Sequence, residues 1–168
     1  MDNKETQFLK LIEENKGILF KISKIYQDDP DDRDDLLQEM ILQLWLVFGS
    51  FRGESKFSSW MYRVALNTAI VFFKKQKRRP DSEQLPYQYD KAEELSPAGE
   101  KEEQLAIFYK AVQQLDKVEK ALIYLYMENQ PYEEIAATLG ITEGNVRVRL
   151  NRVKNKLKEI IKKMNYEY

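Results

Sequence analysis

The side chains here that could do chemistry are basic and aromatic, and none has the makings of a catalyst. There is no cysteine and no histidine, so disulfides, thiolate metal sites and imidazole acid–base chemistry are excluded. Six aspartates crowd residues 28–35 in QDDPDDRDD. Their spacing lacks the glycine and the terminal glutamate of a calcium loop, and helix capping is the better reading. No nucleophile–base pair stands out, so the chain is read as no enzyme, with no catalytic residue, metal site or cofactor. What remains is basic and aromatic. Pro131–Leu157, PYEEIAATLGITEGNVRVRLNRVKNKL, has Gly144, Val148, Asn151, Arg152 and Asn155 along one helical face, flanked by Arg147, Arg149, Lys154 and Lys156. A helix of this kind suits a DNA major groove; the bland alternative is a basic solvated helix in a bundle.

The elements that must hold that face follow from local chemistry. Ile135, Ala136 and Leu139 are core-spaced on a short helix, and Gly140 can take the positive φ that ends it. Thr142 can cap the next helix, whose Val146, Leu150, Val153 and Leu157 fall on one side. This is helix-turn-helix grammar.

A second candidate lies in the front half. The loop GSFRGESKF, residues 49–57, interleaves Phe51 and Phe57 with Arg52 and Lys56, which is what stacking on an unpaired base requires. The alternative is that both rings tuck into the core. A helix from Ser58 or Ser59 to about Arg79 is apolar almost all round, and its narrow polar stripe holds Arg63, Asn67 and Lys74. It runs into KKQKRR (74–79), where five of six residues are basic. That strip is either a track for phosphates or a solubilising edge.

The remaining chain reads as helices. Residues 4–26 form one, with Phe8, Leu11, Ile12, Leu19, Ile22 and Tyr26 inward. Pro30 breaks the chain, and a second helix runs from about Asp32 to Phe48. Leu37, Met40, Ile41, Leu44, Val47 and Phe48 form its core face. Its outer face mixes Asp35, Gln38, Glu39 and Gln43 with Leu42 and Leu46, as a partner-docking surface would, unless another helix covers the leucines. Residues 80–99, rich in proline and acids, read as a flexible linker. Beyond it, helices are expected at about Glu100–Gln114, with Leu105, Phe108, Ala111 and Val112 inward, and at about Lys117–Glu128, with Leu122, Leu125 and Tyr126 inward. The last helix should reach about Lys163, with Tyr166–Tyr168 frayed.

The 168 residues thus predict an all-α fold: two small helical domains, 1–79 and 100–168, joined by the 80–99 linker, the second ending in the helix-turn-helix. An apolar content of 43% suffices for a core, and 33% charge suits a soluble helical protein. The net charge of −1 is misleading, because basic and acidic residues are segregated, with the acids concentrated between residues 80 and 130. The polar start Met1–Thr6 predicts no signal peptide, and no apolar run approaches the ~20 residues that span a bilayer. A cytoplasmic protein without direct membrane insertion is expected.

Three stretches together resemble one family. DRDDLLQEMILQLW, FRGESKFSSWMYRVALN and LDKVEKALIYLYMENQPYEEIAATLGITEGNVRVRLNRVKNKL are similar, in order, to motifs of the sigma-70 family of bacterial RNA polymerase specificity subunits. The group they resemble is the extracytoplasmic function (ECF) sigma factors. The resemblance implies that the chain directs core polymerase to promoters and helps melt the −10 region. It implies partners: core RNA polymerase through its largest and second-largest subunits, promoter DNA, and an anti-sigma protein. It implies that Asp35, Gln38, Glu39 and Leu42 grip the polymerase. It implies that Phe51, Arg52, Lys56, Phe57, Ser58, Arg63, Asn67, Lys74, Lys75, Lys77 and Arg78 meet the −10 element, with one base extruded into a pocket. It implies that Gly144, Asn145, Arg147, Val148, Arg149 and Arg152 meet the −35 element. The chain departs from the family at Asp116 (for proline), Lys120 (for arginine), Asn145 (for threonine) and Val148 (for serine). Val148 is apolar on an outward face, where it could contact a thymine methyl. The competing reading is a stand-alone helix-turn-helix transcription regulator, which would bind duplex DNA by itself, as a dimer.

Overall fold

Helix starts and stops are set by a few local devices, visible in a computed structural model that describes residues 3–77 and 99–166, with side chains to 72 and 165 in the two stretches. The helices are α1 (Asn3–Tyr26), α2 (Pro30–Val47), α3 (Phe57–Lys77), α4 (Glu100–Val112), α5 (Lys117–Met127), α6 (Tyr132–Leu139) and α7 (Glu143–Tyr166), with a 3₁₀ turn at Phe48–Ser50. Among the described residues the regular structure is helical throughout, as an all-α fold requires. The expected linker lies almost wholly outside them.

The aspartate cluster does cap a helix. Asp29 accepts the N–H of Asp31 at 3.0 Å, and Pro30 occupies the first turn of α2, where its missing N–H costs nothing. The helix therefore begins two residues before the Asp32 expected from reading proline only as a breaker. Arg33 ties the turn back by donating from Nε to the carbonyl of Gln27 at 2.8 Å. Asp116 caps α5 in a reciprocal box with Glu119. Helix α7 runs three residues past Lys163, so Tyr166, expected to fray, is helical.

Helices α1, α2 and α3 pack together around Phe8, Leu19, Ile22, Leu36, Met40, Leu44, Met61 and Leu66. In α2 the buried row is Leu36, Met40 and Leu44, while Leu37 is half-buried and Val47 exposed, a correction to the expected face. Two more inward assignments fail. Leu105 is exposed because α4 sits on α7 by its second half, where Ala111 and Val112 are buried. Tyr126 is exposed at the end of α5, and its ring carries the ammonium of Lys154 3.8 Å from its centre.

The middle of helix α5 is buried on all sides. Lys120, Ala121, Leu122, Ile123, Tyr124 and Leu125 are all out of solvent, since α6 and α7 pack on one side and α1 and α3 on the other. The seam with α1 and α3 is built from tyrosines and carbonyls. Tyr26 Oη donates to the carbonyl of Lys117 at 2.6 Å. Gln113 Nε2 donates to the carbonyls of Lys24 and Ile25, each at 3.1 Å, at the end of α1. Glu128 takes Lys21 on one oxygen at 2.9 Å and the Tyr62 hydroxyl on the other at 3.5 Å. Tyr62 meets Tyr124 edge to face, with centroids 5.9 Å apart. The Lys120 ammonium lies 5.6 Å from the centre of the Tyr26 ring. Burial holds its pKa below the usual lysine range, against a smaller opposing pull from Asp28.

Burial pushes the Tyr62 phenol up to about 12, helped by Glu128. It raises Tyr26 and Tyr124 further, with smaller contributions from Asp116 and Glu128 respectively. The folded state thus favours the neutral phenols. Their contribution is complete below the ordinary tyrosine value of 10.0 and is lost as pH rises through the folded values. In a tyrosinate absorbance titration, a fraction of the tyrosines should lag between pH 10 and 12 and then ionise together with loss of the seam. Tyr62→Phe should shrink the lagging fraction. Titration of every tyrosine near pH 10 with the fold intact would contradict the seam.

Candidate nucleic-acid interface

The turn between α6 and α7 uses the two residues its sequence singles out. Gly140 is left-handed, with φ 69° and ψ 35°, a conformation that costs a side-chain-bearing residue about 1 kcal/mol or more. Its N–H and that of Ile141 both return to the carbonyl of Ala136. Thr142 Oγ1 then accepts the N–H of Asn145 at 3.1 Å, capping α7. The stripe Val146, Leu150, Val153 and Leu157 is buried against α4, α5 and α6. All six expected −35 residues, Gly144, Asn145, Arg147, Val148, Arg149 and Arg152, are consequently exposed.

Three cations of α7 are steadied by their own half of the chain. The Arg147 guanidinium lies 5.7 Å from the centre of the Tyr132 ring, and Lys154 covers Tyr126. Lys156 pairs with Glu119 at 2.9 Å. That same Glu119 oxygen accepts the Asp116 N–H of the α5 capping box. Sequence reasoning missed these supports. Glu119, three residues after Asp116, was the one with a local signal; the two tyrosines had none.

The front loop resolves differently from the stacking expectation. Phe48, Phe51, Phe57 and Trp60 form one ring cluster, with Phe51 5.5 Å from Phe57 and 5.3 Å from Trp60 between centroids. Phe57 is buried and so is part of the core, as the alternative had it. Phe51 and Ser58 are half-buried, while Arg52, Lys56, Arg63 and Asn67 are exposed around them. The backbone of Lys74, Lys75 and Lys77 continues α3; their side chains, and all of Arg78, lie outside the described residues.

The outer face of α2 is bare. Leu42 is 47% and Leu46 64% exposed, so neither the first helix nor the rear half covers them. Asp35 and Gln38 are exposed beside them, and Glu39 is half-buried, accepting from Gln43 Nε2 at 3.2 Å. A groove between α2 and α3, lined by Glu39, Gln43, Val47, Asn67 and Val71, opens beside this face. Among the described residues no helix is long and apolar enough to cross a membrane.

Comparison with known proteins agrees with this geometry. Residues 11–79 match the family described as Sigma-70 region 2, and residues 105–157 match Sigma-70, region 4. The chain is 30% identical over 149 residues to the ECF RNA polymerase sigma-E factor of Escherichia coli (strain K12), covering 79% of this chain and 77% of that protein. The same-named protein of Haemophilus influenzae is 30% identical over 142 residues, covering 78% and 75%. Two solved structures share the fold. The sigma factor RpoE in complex with the anti-sigma factor NepR from Bartonella quintana has a TM-score of 0.68 at 21% identity, covering 96% of this chain and 98% of that one. CnrH in complex with the cytosolic domain of CnrY has a TM-score of 0.68 at 20% identity, covering 94% and 89%.

The burial pattern separates scaffold from contact residues. Phe57→Ala should destabilise the protein by about 3 kcal/mol, whereas Arg63→Ala and Asn67→Ala should change stability by no more than about 0.5 kcal/mol. Urea unfolding followed by circular dichroism distinguishes them. A neutral Phe57→Ala would return that ring to the candidate contact surface.

Proposed function

The chain belongs to the ECF group of the sigma-70 family of RNA polymerase sigma factors, and from that premise we propose how its parts divide promoter-directed initiation. The front half, residues 1–79, docks on core polymerase and holds the −10 element. The rear half, residues 100–168, reads the −35 element. The observation that carries this division is the pair of bare leucines on α2. An acidic helix with Leu42 and Leu46 in solvent, beside Asp35, Gln38 and Glu39, is a surface for a protein, whereas the exposed faces of α3 and α7 carry cations.

The chain itself performs no bond chemistry in this scheme. Arg52, Lys56, Arg63, Asn67 and the basic run after Phe73 hold a separated strand through its phosphates. The rim of the aromatic cluster at Phe51 and Trp60 gives an extruded base an apolar neighbour, which offsets part of the few kcal/mol that each unstacked step costs. Arg147, Arg149 and Arg152 neutralise phosphates upstream, each contact being modest and salt-sensitive. Held on one polymerase, the two weak contacts act at high effective concentration and become one selective contact. The site of action is the cytoplasm, where polymerase and promoter are. An anti-sigma protein that covers these faces would hold the chain inactive, a reading supported by the sigma factor RpoE, a structural relative captured in complex with the anti-sigma factor NepR.

Run-off transcription on genomic fragments tests the proposal. Core polymerase with the chain should give transcripts that core alone does not, and their absence would overturn it. The double variant Gln38→Ala, Glu39→Ala should weaken core binding about tenfold while leaving the free chain folded. The double variant Arg149→Ala, Arg152→Ala should leave core binding intact and flatten the salt slope of promoter binding by about two. Loss of core binding in the second variant would contradict the division of labour.

A further inference from the structure

The exposed face of α7 carries most of its cations along its edges. Val146, Leu150, Val153 and Leu157 are buried. At about 100° per residue, the positions facing away from that row are Gly144, Val148, Asn151, Arg152 and Asn155. All five are exposed and only Arg152 is charged. The other cations stand to either side, Arg147 and Lys154 on one flank and Arg149 and Lys156 on the other. Arg147, Lys154 and Lys156 are moreover held back against Tyr132, Tyr126 and Glu119. In a helix lying along a major groove, flanking cations meet the phosphate walls and the crest meets base edges.

Val148 is the side chain on that crest without a hydrogen-bonding group. It is 50% exposed, so it adds little to the core, and a β-branched residue lowers helix propensity by roughly half a kcal/mol relative to alanine. Folding therefore gives no reason for it. One turn earlier stands Gly144, where an added Cβ would meet nothing nearer than Thr142 Oγ1 at 3.9 Å. The backbone there is open to close approach from outside. A major groove offers one apolar feature to a valine, the C5-methyl of thymine.

We infer that Val148 is a specificity-determining residue that reads a thymine methyl in the upstream element. The inference rests on the proposed docking of α7 in promoter duplex. The γ-methyls of valine and the C5-methyl exclude water from one another, and cytosine, which lacks the methyl at the same place, leaves Val148 facing water. The flanking arginines position the helix and carry no such preference.

The test uses holoenzyme assembled from core polymerase and the full chain on a promoter it transcribes. Each thymine of the upstream element, on either strand, is replaced in turn by deoxyuridine, which removes only the methyl. One replacement should weaken binding about fourfold, the value of one buried methyl group. With Val148→Ala holoenzyme the two duplexes should bind alike. At this exposed position the variant keeps or slightly raises its melting temperature, checked by circular dichroism. If base-pair changes in the element weaken binding but no deoxyuridine does, the inference is overturned and the docking of α7 stands. The same holds if Val148→Ala keeps the full thymine preference. If neither kind of change has any effect, the docking itself is overturned, and with it the inference.

Discussion

The burial of the middle of α5, Lys120 through Leu125, is the constraint from which the functional faces follow. A helix with Lys120 through Leu125 out of solvent must be covered on every side. The helix-turn-helix supplies one cover and α1 with α3 the other. Because α6 and α7 spend their apolar stripes on this task, the outer side of α7 is left free. Because α1 and α3 spend theirs on α5 and α2, the outer side of α2 is left free too. The polar atoms that such burial would strand are met by Lys117, Lys24 and Ile25 carbonyls and by Glu128. Each such bond contributes only about 1 kcal/mol net, but leaving one unmade costs more.

Those free faces differ in chemistry, and the proposed division of function follows that difference. The outer side of α2 is acidic with bare leucines, which favours a protein partner and disfavours phosphates. The outer sides of α3 and α7 are basic and polar. Neither basic surface is large, and the chain as a whole carries a net charge of −1. On the proposed reading, selectivity comes from using both surfaces at once on a common platform. That is the arrangement a polymerase specificity subunit needs, since a subunit that bound DNA tightly by itself would compete with its own holoenzyme.

What was legible in the sequence was local. Gly140 and Thr142 announce their turn because positive φ and N-capping depend on single residues, and the four buried positions of α7 follow from a clean period. What was hidden depends on distant partners. Adjacent Leu36 and Leu37 give α2 two nearly equal registers, and packing against α1 and α3 chooses Leu36. Tyr126 reads as core, but it sits at the exposed end of α5 and carries Lys154 on its ring instead. Phe51 and Phe57 offer only a weak stacking signal, since loop phenylalanines usually tuck into the core, and the neighbours Phe48 and Trp60 decide for Phe57. The seam between the halves runs largely through backbone carbonyls, which no side-chain pattern records. Of the candidate contacts, the exposed arginines were foreseeable; their orientation by Tyr132 and Glu119 was not.

The central claim is that each surface alone is weak and that polymerase makes them act together. Fluorescence anisotropy of one labelled promoter duplex, titrated with the free chain and with the holoenzyme across a salt series, measures this directly. The account predicts weak, steeply salt-dependent binding with little sequence preference for the free chain, and tight, sequence-selective binding for the holoenzyme. Tight and selective binding by the free chain, unchanged when core polymerase is added, would contradict it.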